Sequence, residues 1–427
     1  MASIEDLDNS IDASTSFFAK PGVQVDEIKV GRGVPIGIER VSNPALGIGG
    51  AYGTWGESYS NQTLPDLVAY RLGRPLETGE LMDLSSLGFV SRHHIIDLSD
   101  RDDIDLEVEV GARMLREAAS ACGWKPEEVE GVLIGMSGPV SQDYTERIAK
   151  EAGIPEDALK VSVHKACDGS VGALHLAMNP DLDVNRNLDQ NLAEELKGKK
   201  VLVGGIEGLS RFTKYSFDFN ALQLFGNGAG VIGVIPGKTL KFLVGKAHEV
   251  FDEEGVLAVR MYYPYPGIKI PGAGSMIQVI KEKANHIRIA GLMHEPGDER
   301  PVVMAGPMGM VKLFVRSGVQ VVKDVYQMYQ DKLDELGEAE KSIRVAIVHH
   351  ANYKINKLKE KHLTKEGIQL SMPWVLSEFG NVSAASNMIA FMRQLPSLKP
   401  GDHILFDGFG AGTYYDVMAL VLGGAPA

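Results

Sequence analysis

The part of this 427-residue sequence best equipped for chemistry runs from Val161 to Met178, VSVHKACDGSVGALHLAM. The apolar run 159–163 predicts a buried strand. Val171, Leu174, Leu176 and Met178 then mark a helical pattern after the turn His164–Gly169. A cysteine at such a corner stands over a helix N-terminus, where unpaired N–H groups and the helix dipole stabilise a thiolate. An activated thiolate attacks acyl groups. The plain alternative is that Cys167 is a small buried apolar residue, the common fate of a single cysteine. Gly169 beside it argues for close backbone approach.

Two later stretches bear on that choice. Residues 343–356, IRVAIVHHANYKIN, form a strand-like run ending in His349-His350-Ala351-Asn352. Residues 377–390, SEFGNVSAASNMIA, hold Gly380-Asn381-Val382-Ser383-Ala384-Ala385-Ser386 at the head of a helix-like pattern. Two glycine runs accompany them, Phe225-Gly226-Asn227-Gly228-Ala229-Gly230 and Gly408-Phe409-Gly410-Ala411-Gly412. In this order the segments resemble the motifs A-C-x-G, F-G-D-G-A-G, H-x-A-N, G-N-x-S-A-A-S and the C-terminal glycine run of the thiolase-fold condensing enzymes. They look most like 3-oxoacyl-acyl-carrier-protein synthase type III, and the resemblance covers residues 45–425.

The resemblance implies a five-layer αβαβα sandwich of two duplicated halves, assembled as a homodimer. It implies Cys167 as the acyl-accepting nucleophile, with His349 and Asn381 as neutral donors to the enolate left when a malonyl thioester loses carbon dioxide. The backbone N–H groups of Cys167 and Ala411 would form the oxyanion hole. Phe225, Asn352 and Lys354 would contact substrate or carrier, with Lys357 and Lys359 extending a basic face from Lys354. No metal and no bound cofactor are implied; coenzyme A or acyl-carrier-protein thioesters are the substrates. Two other readings stay open: acyl transfer to an alcohol or amine without condensation, and a catalytically idle scaffold or acyl-binding subunit.

Absences separate relatives. A thiolase would carry a second cysteine within 408–412, and chain-elongating synthases a second histidine where Asn381 stands. Departures are also visible. Met82 and Ser86 occupy positions where the family holds coenzyme A with tryptophan and arginine. Asp168 follows the nucleophile, where its charge would oppose a thiolate. Asn227 replaces an aspartate, Ala411 a glycine, and Lys354 an arginine. His350 reads as a bystander.

The rest of the chain must position these residues. Predicted helices at 62–82, 105–122, 142–152, 310–335, 353–366 and 384–395 alternate with predicted strands at 130–136, 200–206, 231–235, 241–249, 343–348, 403–407 and 413–422. By itself that alternation means an α/β protein. Residues 1–35 read as an N-terminal extension, 36–236 as a half carrying Cys167, and 237–427 as a half carrying His349 and Asn381. An insert at about 251–301 contains a short basic helix near 277–285. Gly47–Gly53 lacks the following helix and the acidic residue of a dinucleotide loop. The pair His93-His94, without a third ligand, reads as a solvated loop.

Composition narrows the classes. The net charge of −13 argues against general nucleic-acid binding. Two cysteines, Cys122 and Cys167, make no disulfide framework and fit a reducing cytoplasm; Cys122, ending the amphipathic pattern 105–122, reads as a packing residue. The acidic start MASIEDLDNS is no secretory signal, and no apolar run approaches membrane-spanning length.

Overall fold

A computed structural model describes residues 17–20, 23–28, 33–137, 143–214, 216, 218–249, 260–261, 278–290, 302–303, 311–410 and 414–425. Its strands in chain order are β1 (Gln24–Ile28), β2 (Val34–Asn43), β3 (Ile48–Trp55), β4 (Glu57–Ser60), β5 (Ser91–His94), β6 (Gly131–Met136), β7 (Leu159–His164), β8 (Val201–Glu207), β9 (Gly228–Val234) and β10 (Leu240–Glu249). They continue with β11 (Arg260–Met261), β12 (Gln278–Lys283), β13 (His286–Ala290), β14 (Val302–Val303), β15 (Ile343–Val348), β16 (His403–Gly410) and β17 (Tyr414–Leu422).

Two sheets carry the architecture. One has nine strands in the order β1-β2-β3-β9-β8-β6-β7-β13-β12, and the other four in the order β10-β17-β16-β15. The run β3-β9-β8-β6 is paired antiparallel, antiparallel, parallel. The run β10-β17-β16-β15 repeats that sequence of pairings. Beyond β15, the Ala346 N–H donates to the Ser371 carbonyl, at the place where β7 continues the first sheet. The two halves therefore share one topology.

Strand alternation sorts the side chains into layers. In β6, Leu133 points into a central core, while Val132 and Ile134 face the helices Asp100–Ala121 and Tyr144–Ala152. In β16, Ile404 and Phe406 join the same central core, while Leu405 faces an outer cluster formed with the helix Gly318–Leu336. Between the sheets lie the helices Gly169–Met178 and Ser386–Gln394. All ten residues of the first are buried, as are Ser386 to Met392 of the second. A helix apolar on every side has to sit inside, and these two form the middle layer. The result is a five-layer αβαβα sandwich.

Several segments depart from expectation. Within 62–82 the α-helix is confined to Leu64–Leu72, because Gly73 adopts φ 68° and closes the helix end, and Thr78–Glu80 forms a separate 3-10 turn. The basic stretch near 277–285 is not a helix: β12 and β13 form a hairpin whose β13 lies parallel to β7. The alternating Ile287 and Ile289, both buried, account for that choice. His93 and His94 are no solvated loop; both are buried on β5, with His93 edge-on to Phe18 at 4.6 Å. The described part of the N-terminal extension joins the fold, since β1 pairs with β2 and Phe17 packs between Tyr52 and Phe379. Cys122 is half-buried, its thiol against the Gly233 carbonyl at 3.6 Å and pushed by burial up to about 12.

Candidate active site

The strand-to-helix corner forms where β7 ends at His164 and a single tight turn, Ala166–Asp168, leads into the helix Gly169–Met178. Ala166 adopts φ 49°, a left-handed conformation unusual for alanine, and Cys167 follows it at the head of the helix. The turn is pressed from outside by the end of β16. A Cβ on Gly410 would lie 2.5 Å from the Lys165 carbonyl oxygen and 3.0 Å from the Cys167 nitrogen, so only glycine fits. Cys167 is buried, with 8% of its surface exposed.

The segment 381–386 brings the three sequence motifs together. Asn381 is held by its own backbone, its N–H donating to the Leu224 carbonyl at 2.8 Å, beside a bridge to Phe225. Its Oδ1 accepts the Ser383 N–H at 3.0 Å, which leaves the side-chain amide nitrogen as donor. Ser383, itself at φ 45°, donates its hydroxyl to Cys167 Sγ at 3.2 Å. One turn on, Ser386 Oγ accepts the His350 N–H at 3.3 Å and lies 2.6 Å from His349 Nδ1, to which its hydroxyl can donate when the imidazole hydrogen is on Nε2. In that tautomer the imidazole hydrogen is on Nε2, which is buried without a protein partner among the described residues and so is left to donate to a ligand. Burial, then His350 and Lys359, hold the His349 imidazolium down to about 3, so His349 is a neutral donor at working pH. Its N–H is anchored on the Asp407 carbonyl at 3.1 Å and its ring stands edge-on to Phe409.

The other expected site residues fare differently. Asn352 Oδ1 caps the helix Tyr353–Lys365, accepting from the Lys354 and Ile355 N–H groups. Phe225 is 3% exposed, and its backbone bridges to Asn381. Lys354 is exposed and reaches Ser86 Oγ at 2.6 Å, linking two positions the sequence had singled out separately. Lys357 is exposed as expected, whereas Lys359 leaves the basic face: it is fully buried, 2.5 Å from Asp407 and over the Phe409 ring. Ala411 lies outside the described residues. His350 is a structural pin, its Nδ1 donating to the Val348 carbonyl and its Nε2 accepting the Val375 N–H. Asn227 also braces the fold, accepting from Ser210 and donating to the Trp55 carbonyl.

Asp168 corrects the sequence-based concern about its charge. It is wholly buried, and burial followed by the neighbouring Asp416 raises its carboxyl well above the usual range against the pull of Lys165 at 4.0 Å, favouring the protonated form. Burial also works against a charge on Asp416, but Lys165 at 2.6 Å and His175 at 2.6 Å outweigh it and keep Asp416 ionised. The pair thus favours the negative charge on Asp416 of β17, where Lys165 and His175 meet it, over Asp168 beside the sulfur. Sequence reasoning missed this network, as it missed Glu207. An acid inside the run VLVGGIE was the one visible sign.

Solved structures place this architecture in a class. A β-ketoacyl-acyl-carrier-protein synthase III from Thermus thermophilus covers 95% of this chain and 100% of its own, with TM-score 0.59 and 17% identity. The priming β-ketosynthase of the R1128 polyketide pathway covers the same shares, with TM-score 0.58 and 20% identity. The fold is the thiolase fold. Within it the chain is similar to the synthase III enzymes: the family described as 3-oxoacyl-[acyl-carrier-protein (ACP)] synthase III C terminal matches residues 333–422. The β-ketoacyl-acyl-carrier-protein synthase III of Synechococcus sp. (strain WH7803) is 25% identical over 334 residues, covering 76% of this chain and 83% of the relative. That of Syntrophomonas wolfei is 24% identical over 348 residues, with 79% and 90% covered. Among the described residues no group of histidine, cysteine and acidic side chains could hold a metal ion, and no helix is long and apolar enough to cross a membrane.

Proposed function

We propose that this chain is an acyltransferase of the synthase III kind, joining a Cys167-bound acyl group to a malonyl-type thioester by decarboxylative condensation. The observation that carries the reading is the single segment 381–386, which contacts Cys167 through Ser383, His349 through Ser386, and supplies Asn381 itself. The Cys167 thiolate attacks the donor thioester carbonyl, the C–S bond forms, and the donor thiolate leaves. The malonyl-type thioester then binds with its thioester oxygen toward His349 Nε2 and the Asn381 amide. Loss of carbon dioxide leaves an enolate whose charge those two donors stabilise, and neutral donors suit it because no proton need move. The enolate carbon attacks the acyl-Cys167 carbonyl, and the Cys167 N–H stabilises the oxyanion until the thiolate departs.

With that reading go coenzyme A or acyl-carrier-protein thioesters as substrates, a homodimeric assembly, a cytoplasmic location, and no bound metal or cofactor. Lys354 and Lys357 remain as an exposed basic pair for an acidic carrier. The test is intact-protein mass after incubation with acyl-coenzyme A and acyl-carrier thioesters, followed by carbon dioxide release on adding the malonyl thioester. An adduct absent from Cys167→Ala, with carbon dioxide released, supports condensation. An adduct passed to an alcohol or amine without carbon dioxide would establish simple acyl transfer instead. No adduct from any donor would leave a scaffold.

A further inference from the structure

Behind the sulfur runs a file of side chains that the condensation scheme does not use. Ser383 Oγ is 3.2 Å from Cys167 Sγ and 2.5 Å from Ser137 Oγ; Ser137 Oγ is 2.6 Å from Glu207 Oε1. Each serine is buried, and Glu207, ending β8, is 1% exposed. Glu207 is carried there without a cationic partner: its contacts are the Ser137 and Ser383 hydroxyls, the Ser137 N–H and the Ala384 N–H at 3.0 Å, while Oε2 meets no donor among the described residues. A lone buried carboxylate is costly, and the left-handed φ of Ser383 is a second cost at the same place. Both are explained if the file carries a proton.

We propose that Glu207 is the proton store of Cys167, connected to it by Ser383 and Ser137. The inference rests on Cys167 being the nucleophile. With the hydroxyls turned one way the thiol donates to Ser383, Ser383 to Ser137, and Ser137 to the Glu207 carboxylate; turned the other way, Ser383 donates to the sulfur, as it does in the structure. Each donor passes its proton one place along: the S–H bond breaks, O–H bonds re-form at Ser383 and Ser137, and a new O–H bond forms on Glu207 Oε1. The products are a thiolate, accepting from Ser383, and a neutral carboxylic acid. No charge enters or leaves the buried file, and the steps reverse when condensation releases the thiolate. Burial supports the role by raising Glu207 to about 7, between an ordinary carboxylate and an ordinary thiol. The titratable group that meets Glu207 from the outer helix side is Tyr144, which in turn meets the Glu107–Arg211 ion pair. Flanking Cys167 are Lys165, paired to Asp416, and the neutral Asp168.

A shared proton leaves a signature. While the pair holds one proton, its division between sulfur and carboxylate does not depend on pH. Alkylation of Cys167 by iodoacetamide, followed by mass spectrometry on the full chain across pH 5 to 9, should therefore rise, level off, and rise again. In Glu207→Gln the plateau should vanish and the rate at pH 7 should fall on the order of ten-fold or more. Ser137→Ala should do the same with every charge retained, and Ser137→Thr should restore the plateau. If Glu207 were merely a nearby charge, Glu207→Gln would relieve repulsion and speed alkylation; that result overturns the relay. So does a single sigmoid in the native chain, which requires no variant to fold. A Cys167 that alkylates along a single sigmoid sinks the relay alone, whereas a Cys167 inert at every pH sinks the nucleophile and the relay together.

Discussion

Replacing Ser386 by alanine removes one hydroxyl that serves two neighbours. The buried His350 N–H loses its acceptor at 3.3 Å, and His349 Nδ1 loses the donor at 2.6 Å that fixes its tautomer. Leaving a buried polar group unsatisfied costs about 1–3 kcal/mol, so Ser386→Ala should destabilise the chain by about that amount. The catalytic loss has a separate origin. Without the serine, nothing among the described contacts of Nδ1 holds the imidazole hydrogen on Nε2, and the enolate donor is present for only part of the time. Losing a preorganised donor outright costs roughly 3–4 kcal/mol; losing only its orientation should cost about 1–2 kcal/mol, or roughly 5- to 30-fold in rate. The loss should fall on carbon dioxide release from the malonyl thioester. Acylation of Cys167, whose sulfur contacts Ser383, should be nearly unchanged. The assay measures both steps on one sample, adduct mass for acylation and carbon dioxide for decarboxylation. Equal losses in the two, or none in decarboxylation, would refute the tautomer argument. Between pH 5 and 8 the native decarboxylation rate should show no imidazole limb, since His349 is held at about 3.

Gly410→Ala should abolish Cys167 alkylation and lower the melting temperature, because the new Cβ meets backbone atoms on the nucleophile turn; ordinary reactivity in that variant would show that β16 does not brace the turn. Asp168→Asn should leave the alkylation rate of Cys167 within about two-fold, because the carboxyl is already neutral; a large rise would mean that Asp168 carries charge. Glu207 has a folded value raised to about 7 from an ordinary 4.5, so the folded state binds its proton more tightly than the unfolded state does. The stability this contributes is full below about pH 4.5 and is lost as pH rises through 7, amounting to about 3 kcal/mol. Denaturant titrations should accordingly show Glu207→Gln gaining on the native chain between pH 5 and pH 8, and parallel curves would contradict the buried-acid assignment.

The sequence was most legible where chemistry and backbone constrain the same short stretch. Cys167, His349 and Asn381 could be picked out because each sits in a turn whose neighbours are glycine or alanine for steric reasons, as Gly410 against Cys167 shows. The alternation of strands and helices was readable for a related reason: both sheets are buried on two faces, so their strands stand out as apolar runs. What stayed hidden depends on partners far apart in the chain. Lys359 sits on a basic helix and reads as solvated until Asp407, in β16, is seen beneath it. Asp168 reads as an anion until Asp416 is placed beside it. Ser137, Glu207 and Ser383 come from three separate segments, and no spacing rule joins them. The stretch near 277–285 reads as a basic helix because its lysines stand out, whereas the two-residue period that marks the hairpin, Ile287 and Ile289, lies just beyond it.

That hairpin also bears on how the protein can be made. β7, the strand that delivers Cys167, pairs on one side with β6, which precedes it closely, and on the other with β13, about 120 residues later. During synthesis from the N-terminus, the strand of the nucleophile therefore keeps an open edge until Ile287 and Ile289 are available to cover it. Open edges invite pairing with other chains, and contacts of such long sequence separation form slowly. The first half of the molecule, topologically a repeat of the second, is thus not a self-sufficient folding unit: its sheet is completed by a strand belonging to the other.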